Sequence, residues 1–172
     1  MDGGKMKYKL TDETKEFRGK VLHRIVCVKA FEYADVGETG GWVESENNLS
    51  QDGYAWVSGN ALVYGDALVS GNAQVYGEAK VSGEAKVSGY AQVYGDARVM
   101  SQNDYIVLKN TWSSGRYFTY TASNGKWSVG CFYGTGDELV AKAFNDSELS
   151  GKCYEASVKY VAELERIKKE AK

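Results

Sequence analysis

Between residues 55 and 102 the chain repeats every six residues without a gap: AWVSGN, ALVYGD, ALVSGN, AQVYGE, AKVSGE, AKVSGY, AQVYGD, ARVMSQ. Each hexad opens with Ala and places Val two positions later, the alternation that sends both side chains to one face of a strand. A glycine followed by Asn, Asp, Glu or Tyr then supplies a corner. One hexad cannot bury its own Val. Three hexads closed into a triangular coil can, and successive coils can stack through parallel hydrogen bonds. Eight hexads make about 2.7 coils, roughly 13 Å of solenoid at a strand spacing of ~4.8 Å. The weaker frames VESENN and LSQDGY, residues 43–54, extend it by most of another coil. Twenty glycines and no proline suit a chain whose corners are regular and repeated.

With one coil per three hexads, outward side chains sort into faces. The first face carries Trp56, Gln74 and Gln92 beside Ser58, Tyr76 and Tyr94. It is aromatic and nearly uncharged, as interface cores tend to be, and these five residues (Trp56, Gln74, Gln92, Tyr76, Tyr94) are the interface candidates. The second face carries Leu62, Lys80 and Arg98, and the third Leu68 and Lys86. The first coil therefore presents a ring of Trp56, Leu62 and Leu68, where the next presents Gln74, Lys80 and Lys86. An apolar ring at an open solenoid end calls for cover, and the N-terminal segment is the expected cap.

The tandem hexads resemble the hexapeptide-repeat, left-handed β-helix proteins. The junction KAF, then GGWV, then NLS and a further glycine, resembles the opening of YdcK-like repeat proteins found in enterobacterial genomes and prophages. The CF-GT-DE wording of residues 131–138 is similar to a C-terminal module of phage and prophage repeat proteins. The resemblance implies a mainly β fold: a short left-handed parallel β-helix of about three coils with an N-terminal β cap and a small C-terminal α+β domain. It implies accessory phage functions such as blocking a host defence complex in the host cytoplasm, and trimers as a common assembly. It also implies comparison with hexapeptide acyltransferases, which project a histidine base from a coil and shape an acyl-donor cleft with an excursion loop. Here no hexad holds a histidine and no loop interrupts them.

The flanks divide the chain into an N-terminal β cap at 1–42, the β-helix at 43–104 and an α+β domain at 105–172. YKL and VLHRIVCVKAF read as strands with the polar TDETKEFRGK between them. Trp42 is placed to plug the prism end, and Gly40-Gly41 to permit the sharp entry. Beyond Tyr105, YIVLKNTW reads as a strand and RYFTYTASNGKWSVGCFY as a hairpin with a two-residue type I′ turn at Asn124-Gly125, making three strands. A short helix capped near Thr135 follows, then an amphipathic helix over 153–171 with Tyr154, Val158, Val161, Leu164 or Glu165, and Ile167 or Lys168 on its inner stripe.

His23, the only histidine, sits in an alternating apolar stretch and reads as a strand histidine rather than a general base. No phosphate-binding glycine loop or nucleophile elbow is present. Net charge is −2 with no basic stripe, which disfavours nucleic acid. Cys27, Cys131 and Cys153 are far apart and odd in number, the pattern of reduced thiols rather than a disulfide framework or zinc site. No apolar run approaches a membrane span and no leader is legible, so a cytoplasmic protein is expected. The reading is a non-enzyme without metal or cofactor that binds a partner protein. A trimeric scaffold packed through the Tyr76 and Tyr94 face is the alternative, and a degenerate acyltransferase the third.

Overall fold

A computed structural model describes residues 6–172. Ahead of the repeat lie β1 (Tyr8–Phe17), β2 (Lys20–Cys27) and β3 (Thr39–Val43). Each hexad contributes one short strand: β4 (Trp56–Val57), β5 (Leu62–Val63), β6 (Leu68–Val69), β7 (Gln74–Val75), β8 (Lys80–Val81), β9 (Lys86–Val87), β10 (Gln92–Val93) and β11 (Arg98–Val99). Then follow β12 (Tyr105–Lys109), β13 (Tyr117–Thr121), β14 (Lys126–Val129), β15 (Phe132–Gly134), α1 (Gly136–Asp146) and α2 (Glu148–Glu170). No helix among the described residues is long and apolar enough to cross a membrane.

The repeat folds as a β-solenoid of about three turns. Strands three hexads apart pair in parallel and in register, giving the ladders Trp56–Gln74–Gln92, Leu62–Lys80–Arg98 and Leu68–Lys86. Every hexad Ala and Val points inward, none more than 1% exposed. The corner glycines from Gly59 to Gly95 hold φ between +63° and +74°, a conformation costly for any residue with a Cβ. The eighth hexad lacks this glycine. Ser101, with φ −148°, takes its place and caps the 3-10 turn Gln102–Asp104, which ends the repeat.

Residues 43–54 do wind most of a further coil onto the solenoid: Glu44, Ser50 and Tyr54 donate their N–H groups to the carbonyls of Val63, Val69 and Gly71. β3 is the first rung of the Leu62 face. The charged TDETKEF is strand rather than connector, because β1 continues to Phe17 and pairs antiparallel with β2 on both sides of an irregularity between Leu10 and Thr14. The reversal falls on Arg18 (φ 52°) and Gly19 (φ 75°), the two left-handed residues a type I′ turn demands.

Trp42 does not plug the prism. Strand alternation sends Val43 inward and Trp42 outward, where it packs with Leu22, Leu62 and Tyr64, with Phe17 beside them. The Arg24 guanidinium and the Lys15 ammonium each lie 4.5 Å from its ring centroid. The end is filled instead by Tyr8, Ile25 and Leu49, all 0% exposed, and the Tyr8 hydroxyl donates to Leu49 O at 2.5 Å.

The C-terminal sheet has four strands in the order β12-β13-β14-β15. KWSVGCFY bends at Gly130 (φ 55°) and Cys131, so it makes two strands rather than one. The loop between β13 and β14 spans residues 122–125 with only Gly125 at positive φ, so it is not a type I′ turn. One side of the sheet joins α1 and α2 in a core of Phe118, Trp127, Leu139, Tyr154 and Val161. From the other side Tyr105 and Val107 pack on the solenoid core. α1 is capped by Thr135, whose hydroxyl accepts from Glu138 N while the Glu138 carboxylate accepts from Thr135 N. α2 begins earlier than its apolar periodicity indicates, at Glu148, because Ser147 caps it.

Both solenoid ends present backbone groups that no further coil can pair. At the N-terminal end the buried Lys7 ammonium donates to Ala55 O at 2.8 Å, Gly53 O at 3.3 Å and Asp52 O at 3.4 Å. At the other end Gln92 N donates to Thr119 Oγ1 at 2.9 Å and Arg98 N to Ser123 Oγ at 2.8 Å, while the Tyr105 hydroxyl donates to Lys86 O at 2.8 Å. Side chains of the two flanks thus complete the last rungs.

Candidate binding cleft

The two flanks meet on the first face. From the N-terminal side the loop between β2 and β3 lays Phe31 edge-on over Trp56, with centroids 5.4 Å apart, and Tyr8 approaches the same indole at 6.4 Å. Trp56 is left 3% exposed. Leu62 is equally covered by the β1-β2 hairpin, whereas Leu68 is only partly buried. The N-terminal segment therefore caps two members of the apolar ring, Trp56 and Leu62, and leaves the third partly exposed.

From the C-terminal side the sheet seats itself on the tyrosine ladder. Tyr76 and Tyr94 stack at 4.3 Å with 21° between planes, and Tyr133 of β15 meets Tyr94 edge-on at 4.7 Å. The Tyr133 hydroxyl and the Asn124 amide both reach Asp96 Oδ1, at 3.3 Å and 2.9 Å. The Asn124 hydrogen bond holds the Asp96 carboxyl below the usual carboxylate range. Burial, with Tyr94 alongside, pushes the Tyr76 phenol up to about 12. Of the five first-face candidates, Trp56 lies under the chain's own cap, and Tyr76 and Tyr94 support its own C-terminal sheet.

Gln74 and Gln92 remain, and the structure brings them together as the floor of a cleft of about 350 Å³. Asn72 continues that floor. The walls are aromatic: Tyr33 on the N-terminal side, Tyr90 and Tyr117 on the C-terminal side. Tyr90 and Tyr117 lie face to face at 4.3 Å and 6°, and Tyr90 is still 47% exposed. Burial, reinforced by Glu32, raises the Tyr33 phenol above its ordinary value. Glu32 and Arg116 face the opening from opposite flanks. Gln92 Oε1 is enclosed without a hydrogen-bond partner among the described residues.

The wall residues belong to loops and strands far apart in sequence, so no periodicity points to them. Tyr90 alone leaves a trace. It occupies the last position of its hexad, where the other glycine-bearing hexads carry Asn, Asp or Glu.

His23 lies elsewhere, in the middle of β2 opposite Thr14 and Val43, with Nδ1 3.3 Å from Thr11 O. Cys27 is buried, Cys153 half-buried and Cys131 exposed, and all three are free thiols.

These features define a β-solenoid repeat protein with a hairpin cap and an α+β unit docked on its far end. A family profile described as the YdcK β-solenoid repeat matches residues 55–71 and 63–77, within the first four hexads. No curated protein matches the chain.

Proposed function

We propose that this protein is a non-catalytic binding protein that takes a segment of a partner protein into the Gln74–Gln92 cleft. The observation that carries the reading is the floor itself. Two carboxamides stacked on adjacent rungs, one with an oxygen that has no partner, stand between three tyrosine rings. Carboxamides match the donors and acceptors of a peptide backbone. Tyrosine supplies large contact area at low entropic cost, which is why it anchors interfaces. Glu32 and Arg116 at the mouth add charge selectivity at the rim, where it tunes association rate and register.

The resemblance to prophage repeat proteins makes a host defence complex the first partner to seek. Affinity capture from a bacterial host with the wild-type chain is expected to retain a partner that Tyr90→Ala and Gln92→Ala release and Lys86→Ala, on another face, does not. Capture that is indifferent to both cleft variants rejects the cleft as the site. Acyl-CoA turnover by the purified chain that disappears in His23→Ala overturns the non-catalytic assignment.

A homo-oligomeric scaffold is the second reading. Tyr133 already occupies the edge of the tyrosine ladder, and a different surface supports self-association better.

A further inference from the structure

The protein covers its strand edges with some consistency, and one edge departs from the pattern. Both ends of the solenoid are closed by side-chain donors and acceptors, as described above. β15, at one border of the C-terminal sheet, is flanked by α1. β1, at the border of the large sheet, carries a register break between Leu10 and Thr14 and a row of charges, two devices that blunt an edge. β12, at the other border of the C-terminal sheet, has neither. Its sequence is YIVLK, and among the described residues β13 is the only strand paired with it.

Hydrogen-bond parity identifies which groups face outward. Ala122 N donates to Asp104 O and Asn110 N donates to Arg116 O, so the even-numbered residues of this stretch bond to β13. The N–H and C=O groups of Tyr105, Val107 and Lys109 therefore point to the open side. Only the backbone of another extended strand offers alternating donors and acceptors at the matching spacing.

We propose that the β12 edge pairs with β12 of a second copy of this chain, antiparallel about a two-fold axis at Val107. The edge is self-complementary. With Val107 opposite its symmetry mate, Tyr105 falls opposite Lys109 of the other copy, and all three outward residues sit at hydrogen-bonded positions. Ile106 then faces Leu108 across the new seam on the side where both already contact the helical core, and Tyr105 faces the aliphatic stem and ammonium of Lys109. Two four-stranded sheets become one of eight. An isologous contact of this kind closes at two copies and leaves no edge for further growth.

Sedimentation velocity over a dilution series of the full chain tests the pairing. The wild type is expected to sediment at twice the 18.9 kDa chain mass and to dissociate on dilution. Val107→Pro and Lys109→Pro each remove an N–H that points away from β13, so each is compatible with the fold and incompatible with the pairing. Both variants are expected to sediment as single chains with unchanged circular dichroism. Lys109 is exposed, so its variant remains informative if Val107→Pro disturbs the packing on the solenoid. In the wild type, amide exchange at Val107 and Lys109 should slow as concentration rises. A wild type that is a single chain throughout overturns the proposal. So does a dimer that survives Lys109→Pro with fast exchange at Val107.

Discussion

Asn48 and Asp104 stand at the same corner of the solenoid, at its opposite ends, and close it with opposite halves of a hydrogen bond. Each is the third residue of a 3-10 turn capped by a serine, Ser45 and Ser101 respectively. Between them that corner is made by Gly65 and Gly83. Asn48 Nδ2 donates to the carbonyls of Gly65 and Ala67, both at 2.9 Å, and Asp104 Oδ2 accepts from Met100 N at 2.7 Å and Ser101 N at 2.8 Å. The turn that starts the stack and the turn that stops it share one design, with the polar atom exchanged to suit the groups left over.

Replacing Asn48 by Leu strands two carbonyls at a buried position and is expected to destabilise the chain by about 1–3 kcal/mol. Asp104→Ala, at a more exposed end, should cost about 1 kcal/mol, as loss of a cap does. Urea unfolding followed by circular dichroism measures both. Equal costs would mean that burial does not set the penalty.

Gly53 and Gly89 have nearly the same φ, 70° and 66°, and different surroundings. A Cβ on Gly53 would meet Gly71 O at 2.5 Å, whereas one on Gly89 meets nothing within 4 Å. Gly89→Ala should therefore cost only the left-handed backbone strain, about 1–2 kcal/mol. Gly53→Ala should cost clearly more, because the rungs must also separate. The ratio of their denaturation midpoints checks the expectation.

Burial lowers the Lys7 ammonium to about 8 from its ordinary 10.5, against the pull of Asp52. Between pH 8 and 10.5 the unfolded chain then holds more protons at this residue than the folded one, so its contribution to stability rises with pH across that window. The stability difference between the wild type and Lys7→Met is expected to move in favour of the wild type over the same interval. Urea titrations at pH below 8 and within the window decide it, and a difference that is flat or shrinks contradicts a depressed ammonium.

The contact of Tyr133 with Tyr94 holds the C-terminal sheet to the solenoid. Tyr133→Ala should lose about 2 kcal/mol through the half-buried ring and its edge-on contact with Tyr94. Tyr133→Phe should lose about 1 kcal/mol through the hydrogen bonds to Asn124 and Asp96. Limited proteolysis between residues 100 and 116 should accelerate in the alanine variant first.

Much of the fold was legible because its driving burial is local and periodic. Ala and Val return to the inside of every rung, so period six implies the coil, and three hexads per coil imply the ladders Trp56–Gln74–Gln92 and Leu62–Lys80–Arg98. The flanks obey no such rule. The TDETKEF part of β1 was hidden because its alternation is written in charges, and the side on which Trp42 lies depends on the register of β3 against β5. The cleft was half legible. Gln74 and Gln92 follow from the ladder, but Tyr33, Arg116 and Tyr117 reach it through long-range packing that no spacing encodes.

The sequence by itself determined the solenoid: which side chains enter it, which outward residues stack on one another, and where glycine must turn the chain. Tertiary structure alone decided what those outward residues do. Leu62 and Lys80 are consecutive rungs of one ladder, yet the hairpin buries Leu62 to 3% exposure and leaves Lys80 half-buried at its rim. Trp56, Gln74 and Gln92 form another such ladder, split between a covered indole and two half-buried carboxamides. Inward positions are set by a repeat that every coil restates. Outward positions are set by where two non-repeating flanks come to rest, which depends on contacts between residues distant in the chain.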